Sequence, residues 1–189
     1  VKDLTDVDLS KFSPLCVDLD GTLIKSDVLL ISWKQLLKTN FFKAFFVLFS
    51  LLKGRAYFKQ ELAKASPVVP EMLDYNKNFL EFLKLYKKQK AGTLVLATAT
   101  DIGFAKPIAD YLDIFDCVIA SEGTTNYRAQ TKADILSKIF GYKNYTYAGN
   151  SYDDIAVWDC SKHAIAVNLS LKARCALKRR RLTFDLYFE

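Results

Sequence analysis

The chain carries one histidine, His163 in "CSKHAIAVN", and that scarcity removes whole classes of chemistry. Histidine-rich zinc sites are excluded, and a Ser-His-Asp triad would have one candidate base. At the mouth of an apolar, strand-like run, His163 reads as structural. Cysteine is almost as sparse. Cys16, Cys117, Cys160 and Cys175 lie far apart and form no CxxC pair, so they read as reduced thiols of a cytosolic domain. No apolar run reaches the roughly 18 residues that span a bilayer. Internal repeats, low-complexity tracts and a signal-peptide pattern are also missing. Methionine occurs once, as Met72, and the chain opens at Val1, so it is expected to be a piece cut from something longer.

What is present suits one globular domain with a small insertion. Of 189 residues, 51% are hydrophobic and 25% charged, which excludes a disordered chain. The net charge of +6 is concentrated in "KARCALKRRR", Lys172 to Arg181, and the remainder is near balance. No zinc-finger spacing, RNP-like aromatic motif or helix-turn-helix accompanies that patch, so no nucleic-acid partner is expected. A basic segment beside a membrane is the other reading.

Short apolar runs recur at Pro14–Leu19, Thr93–Thr98, Cys117–Ala120, Tyr145–Ala148 and Ala164–Val167. Runs without polar alternation predict strands buried on both faces. Helical patterns lie between them: "NKNFLEFLKLYKKQ", "FAKPIADYL", "KADILSKIF" and "DIAVWDCSK". Strands alternating with helices predict an α/β fold, a doubly wound parallel sheet whose ligand site lies at the carboxyl ends of the strands. From about Asp27 to Asp74 the alternation stops and the sequence is helical. Inside it, "FFKAFFVLFSLLKG" places Lys43, Ser50 and Lys53 along one narrow polar stripe. That helix either packs in a hairpin or meets lipid or a membrane partner.

The stretch "LCVDLDGTLIKSD" runs a buried strand straight into Asp18 and Asp20. Paired carboxylates there cost desolvation and repel each other, so either the turn is solvated or they act together. Three more polar clusters accompany them. Thr98 ends "TLVLAT", with Thr100 of "ATAT" as the alternative; Lys132 opens "KADILSKIF"; "GNSYDD", Gly149 to Asp154, follows "YTYA". In a parallel sheet these gather at one edge. Two carboxylates, a hydroxyl, an ammonium and an acidic loop suit phosphoryl transfer. A carboxylate can attack phosphorus. A hard cation held by oxygen donors relieves the repulsion between anions. Each cluster alone has a plainer reading: a turn, a strand end, a solvated lysine, helix N-terminal acids.

In this order the clusters resemble the motifs of the haloacid dehalogenase (HAD) superfamily of phosphatases, with "DLDGT" matching Asp-x-Asp-Gly-Thr. The resemblance implies Asp18 as nucleophile and Asp20 as general acid/base. Thr98, Lys132, Gly21 and Thr22 would bind phosphate. Mg²⁺ would be held by Asp18, Asp20 (through its carbonyl), Asn150 and Asp154. It also implies a Rossmann-like HAD core over residues 1–24 and 89–171, with a small helical cap over 25–88 inserted after the first motif. The basic segment 172–189 would follow. The wording "LVLATATD", "YLDIFDCVIASEGTTN" and "YAGNSYDDIAVW" is similar to the HAD-type domain fused ahead of UbiA-type prenyltransferases. That likeness implies a cytoplasmic domain at the face of a membrane, a membrane partner or C-terminal membrane domain, and a small-molecule or lipid-linked phosphoester such as a prenyl phosphate.

The chain departs from the family pattern at Asn150, where the fourth motif usually has Asp. Weaker metal binding, or transfer of that duty to Asp153 or Asp154, is the expectation. It keeps a second reading open, a catalytically poor docking domain for a membrane prenyltransferase. Arg128 is a further candidate phosphate contact, or simply an exposed loop arginine.

Overall fold

A computed structural model describes residues 8–123, 126–178, 180 and 182–189. Strand β1 (Leu15–Val17) leads into a helical insert of α1 (Val28–Thr39), α2 (Phe41–Phe49), a 3-10 turn (Ser50–Lys53) and α3 (Arg55–Ala65). Helix α4 (Lys77–Lys88) then returns the chain to β2 (Leu94–Asp101), α5 (Ile102–Leu112) and β3 (Cys117–Ser121). The second half runs through α6 (Gln130–Phe140), β4 (Thr146–Gly149), α7 (Ile155–Trp158), β5 (His163–Val167), α8 (Leu171–Leu177) and β6 (Leu186–Phe188). Side-chain caps start the helices where the sequence supplies short polar residues. Asp27 Oδ1 accepts from Leu30 N at 3.0 Å, Asn40 from Lys43 N at 2.8 Å, and Asp101 from Gly103 N at 2.9 Å.

Among the described residues the six strands form one parallel sheet in the order β3-β2-β1-β4-β5-β6. The α/β doubly wound fold is therefore as expected. β1 is central: Leu15 pairs with Leu94 on one side and with Thr146 on the other. Successive strands first build outward through β2 and β3, then restart on the far side at β4. The end of β1 is thus the topological switch point, where an open sheet leaves a crevice. Both sheet faces are buried, and the two-residue period of a strand divides them. Leu15 and Val17 join Leu94, Leu96, Phe79, Phe82 and Phe104 in one core, while Cys16, Val95, Tyr147, Ala133 and Trp158 form the other. All four cysteines are free thiols; Cys16 is buried and Cys117 and Cys175 are exposed.

Four expectations change. β2 does not stop at Thr98 but continues to Asp101, carrying Thr100 with it. Helix α4 packs on the sheet and not within the insert: Phe79 and Phe82 lie against Phe188 of β6, with ring centroids 5.2 Å apart in each pair. By packing, the insert ends before α4, well short of residue 88. Residues 172–189 are no simple basic tail. They supply α8 and a sixth strand, β6, which continues the sheet from β5. Arg180 is ion-paired with Asp159, whereas Arg179 and Arg181 of the arginine run lie outside the described residues. Finally, "DIAVWDCSK" yields only the short helix α7. No helix among the described residues is long and apolar enough to cross a membrane.

Candidate active site

The switch point holds a cavity of about 540 Å³ lined by Asp18, Asp20, Gly21, Thr98, Lys132 and Asn150, and also by Thr100, Lys59, Arg128 and Asp154. Asp18 continues the direction of β1, its N–H donating to Ala148 O at 3.0 Å. The chain then turns sharply. Leu23 N donates to Asp18 O at 3.3 Å and Ile24 N to Leu19 O at 3.0 Å. Gly21 occupies the turn at φ +75°, and a Cβ there would lie 2.0 Å from Asn150 Nδ2. The glycine of "DLDGT" therefore meets both a left-handed backbone and a close approach. Thr22 is fully buried away from the cavity, its hydroxyl without a partner and its N–H given to Leu19 O. The structure does not bring the Thr22 side chain to the site.

Lys132 of α6 is the electrostatic hub. Its Nζ donates to Asp18 Oδ1 at 2.9 Å and to Tyr147 Oη at 2.6 Å, and lies 3.5 Å from Asp154 Oδ1. Burial of the ammonium opposes its charge, but Asp18 and Asp154 outweigh that and raise its pKa. Lys132 stays charged. Asp154 makes many bonds: Oδ1 accepts from Tyr147 Oη at 2.7 Å, while Oδ2 accepts from Asn150 N at 3.1 Å and from Ser151 N and Oγ at 2.8 Å. Burial alone would raise its carboxyl. Lys132, Tyr147 and Ser151 overcome this and hold its pKa below the ordinary value. Asp154 thus fixes the loop after β4 and the lysine.

The two carboxylates of the first motif have different surroundings. Burial pushes the Asp18 carboxyl up despite Lys132, and the neighbouring Asp154 and Asp20 add to the rise. Asp20 leaves β1 toward the insert. Its Oδ1 accepts from Val28 N at 2.8 Å and its Oδ2 from the Thr100 hydroxyl. Burial pushes its pKa up to about 6, against those two hydrogen bonds. Thr98, buried in β2, accepts from Thr100 N at 3.0 Å through its hydroxyl. Both threonines of "ATAT" reach the cavity, and Thr100 is the one that holds Asp20.

Sequence reasoning missed Tyr147, Ser151 and Lys59. Tyr147 is a core residue of β4, and nothing in an apolar run marks one hydroxyl as a contact of the site. Lys59 comes from α3 in the insert, donating to Ala99 O at 2.9 Å beside the cavity. Arg128 also reaches the mouth, where its Nε pairs with Asp153 Oδ2 at 2.6 Å. Asp153 is thereby turned to the arginine.

A hard cation takes oxygen donors, commonly carboxylate, amide or backbone carbonyl. Among the described residues no three His, Cys, Asp or Glu side chains converge as a metal group. A mixed donor set is present instead. Asn150 Oδ1 is buried with no hydrogen-bond partner, an acceptor that a cation would satisfy. It stands across the Gly21 turn, and the cavity brings it together with Asp18. The residues present can offer a hard cation the Asn150 amide oxygen beside the Asp18 carboxylate.

No family model matches the chain. An uncharacterized protein, y4nM, of Sinorhizobium fredii is 32% identical over 173 residues, covering 87% of this chain. The chain spans 32% of that relative's length. A HAD family hydrolase of Salmonella enterica serovar Typhi superposes with a TM-score of 0.62 at 12% identity, over 87% of this chain and 64% of the other. A phosphoserine phosphatase in its apo form superposes with a TM-score of 0.60 at 14% identity, over 93% and 92%. The chain has the fold of the HAD hydrolases. That likeness extends through the helical insert as well as the sheet, since nearly the whole of this chain and of the phosphoserine phosphatase are matched.

Proposed function

We propose that the chain is a Mg²⁺-dependent phosphomonoesterase of HAD type that works through an aspartyl phosphate. The observation that carries this reading is the buried bridge from Lys132 to Asp18, 2.9 Å long, at the sheet's switch point with Asp20 at the same cavity. A carboxylate paired with a fixed ammonium can approach an anionic phosphoryl group without building up uncompensated charge. Asp18 attacks phosphorus, the bond to the leaving oxygen breaks, and its electron pair departs with that oxygen. Asp20, raised toward neutrality, supplies the proton. Water then attacks the aspartyl phosphate, Asp20 takes up its proton, and the bond to Asp18 breaks to release phosphate. The hydroxyl of Thr98 and the ammonium of Lys132 orient the phosphoryl oxygens. Asp18, the Asp20 carbonyl and Asn150 would hold Mg²⁺, with Asp154 supporting Asn150 and Ser151. The cation would supply charge neutralisation between nucleophile and substrate.

The leaving group we propose is apolar, as in a prenyl or other lipid-linked phosphoester. A second cavity of about 320 Å³ shares Leu29, Lys59 and Arg128 with the first and is lined further by Leu51, Ala56 and Phe58 on its apolar side and by Arg55, Asp101, Ser121, Glu122 and Asn126 on its polar side. Its apolar side, with Leu29, Leu51, Ala56 and Phe58, supports an apolar body next to a phosphate.

The deciding measurement is phosphate release from an aryl phosphate with Mg²⁺ and with chelator, for the wild-type chain and Asp18→Asn. Metal-dependent release that the variant loses by at least about a thousandfold is expected. Wild-type turnover in the variant would overturn the mechanism. No release from aryl or prenyl phosphates, together with no measurable Mg²⁺ binding, would leave a docking module for a membrane partner.

A further inference from the structure

Helix α2 and the 3-10 turn after it present their phenylalanines and leucines to solvent. Only Ala44, Val47 and Ser50 of this stretch are buried. Phe42 is 80% exposed, Phe46 72% and Leu52 85%, with Phe41, Phe45 and Phe49 beside them. The narrow polar stripe lies partly on the inner side: Lys43 Nζ donates to Ala65 O at 3.1 Å and Ser50 Oγ to Val47 O at 2.5 Å. A helix whose business was packing in a hairpin would turn the large side chains inward. This one buries its small ones. An exposed aromatic row of this extent marks a contact surface.

The charge around it says what kind of surface it meets. Between Asp27 and Glu61 there is no acidic residue, while Lys34, Lys38, Lys43, Lys53 and Arg55 are basic and exposed; Lys59 turns away to Ala99 O at the first cavity. Lys43 and Lys53 flank Phe46 and Phe49 at a shallow cavity of about 310 Å³, whose one acid, Glu61, is paired with Lys64 at 3.0 Å. Apolar side chains fringed by cations, with the one acid beside them already neutralised by Lys64, are complementary to an anionic lipid surface, with rings in the acyl boundary and lysines among the phosphates. Pairing of this face with itself in a second copy would bring the same cations together.

We infer that α2 and the 3-10 turn dock the chain on the surface of a bilayer containing anionic phospholipid. The inference stands apart from the phosphatase reading, because its readout is lipid capture and not turnover. It also has a geometric consequence. Leu51 lines both this face and the second cavity, so a docked chain would hold that cavity close to the lipid plane.

The test is co-sedimentation with phosphatidylcholine vesicles made with and without phosphatidylserine, for the wild-type chain, Phe42→Ser/Phe46→Ser and Lys38→Gln/Lys53→Gln. All four positions are exposed, so far-UV circular dichroism should be unchanged. Capture should be at least about tenfold stronger with phosphatidylserine. The phenylalanine pair should abolish it and the lysine pair should remove the phosphatidylserine preference. Release of phosphate from a soluble aryl ester should be the same in all three. Absence of capture, or capture indifferent to the phenylalanine pair, overturns the inference. So does a concentration-dependent dimer in solution that the phenylalanine substitutions dissociate, which would assign the face to a second copy.

Discussion

Asp18 and Asp20 sit two residues apart in one extended turn, yet the structure gives them different neighbours. Asp18 is tied to Lys132 at 2.9 Å, and Asp20 to the N–H of Val28 at 2.8 Å and to the Thr100 hydroxyl. This difference has a thermodynamic signature. The Asp20 pKa rises from 3.8 to about 6 on folding, so the folded state holds its proton more tightly than the unfolded chain does. The stability this contributes is present below about pH 4 and is lost as pH rises through about 6. Asp20→Asn keeps the hydrogen-bonding shape and removes the ionisation. In chelator, the variant should therefore be more stable than wild type at pH 7.5, by up to about 3 kcal/mol, and that gap should close toward pH 4.5. Urea melts at the two pH values check this, and an equal gap at both would refute it. The acidic pair was legible as residues. Which one holds a lysine and which one a helix N-terminus was not, because Lys132 and Thr100 are distant in sequence.

At the scale of elements, the turn after β1 is the part on which the site depends. Gly21 combines φ +75° with a Cβ position 2.0 Å from Asn150 Nδ2. Gly54, before α3, also has a positive φ of +109°, but nothing lies within 4 Å of its Cβ position. Gly54→Ala should pay backbone strain alone, about 1 kcal/mol, whereas Gly21→Ala should lose about 2–4 kcal/mol and displace Asn150. The site-specific readout is the Mg²⁺ concentration for half-maximal phosphate release. It should rise in Gly21→Ala and stay unchanged in Gly54→Ala. Most strands were legible because their apolar runs have strand length and both faces are buried. Helix α2 was legible as a helix, but the direction of its face was not. Periodicity finds a stripe without saying which side meets the protein, and here Ala44 and Val47 fit against the neighbouring helices while the rings do not.

On the scale of the whole molecule, the last strand closes the core. Phe188 of β6 packs edge-on or tilted against Phe79 and Phe82 of α4. Asp185 leads into it, accepting from Ala164 N at 3.1 Å and pairing with His163 at 3.0 Å. The lone histidine is thus structural, a tie between β5 and the segment entering β6. Phe188→Ala should cost about 3–5 kcal/mol in denaturant melts and leave phosphate release by the folded chain near wild type, since Phe188 lines neither the first nor the second cavity. A much smaller loss would mean that the C-terminal strand adds little to the core. "LYF" is only three residues long and follows a run of arginines, so local pattern could not mark it as a strand. Its place is decided by pairing with β5 and by the aromatic surface of α4.

Composition and pattern by themselves determined the parallel α/β sheet, the helical insert after the first motif, and the gathering of Asp18, Asp20, Thr98, Lys132 and Asn150 at one edge. These follow from local rules: apolar runs demand burial, and strands laid parallel bring their carboxyl ends together. Only the tertiary structure decided that Asp154 is spent on the loop and on Tyr147, that Thr22 is buried, that Asn150 is left with an unpartnered oxygen, and that the phenylalanines of α2 face outward. Each depends on which side chains from separate elements meet, and on how much room remains between them. Distance along the chain carries neither kind of information.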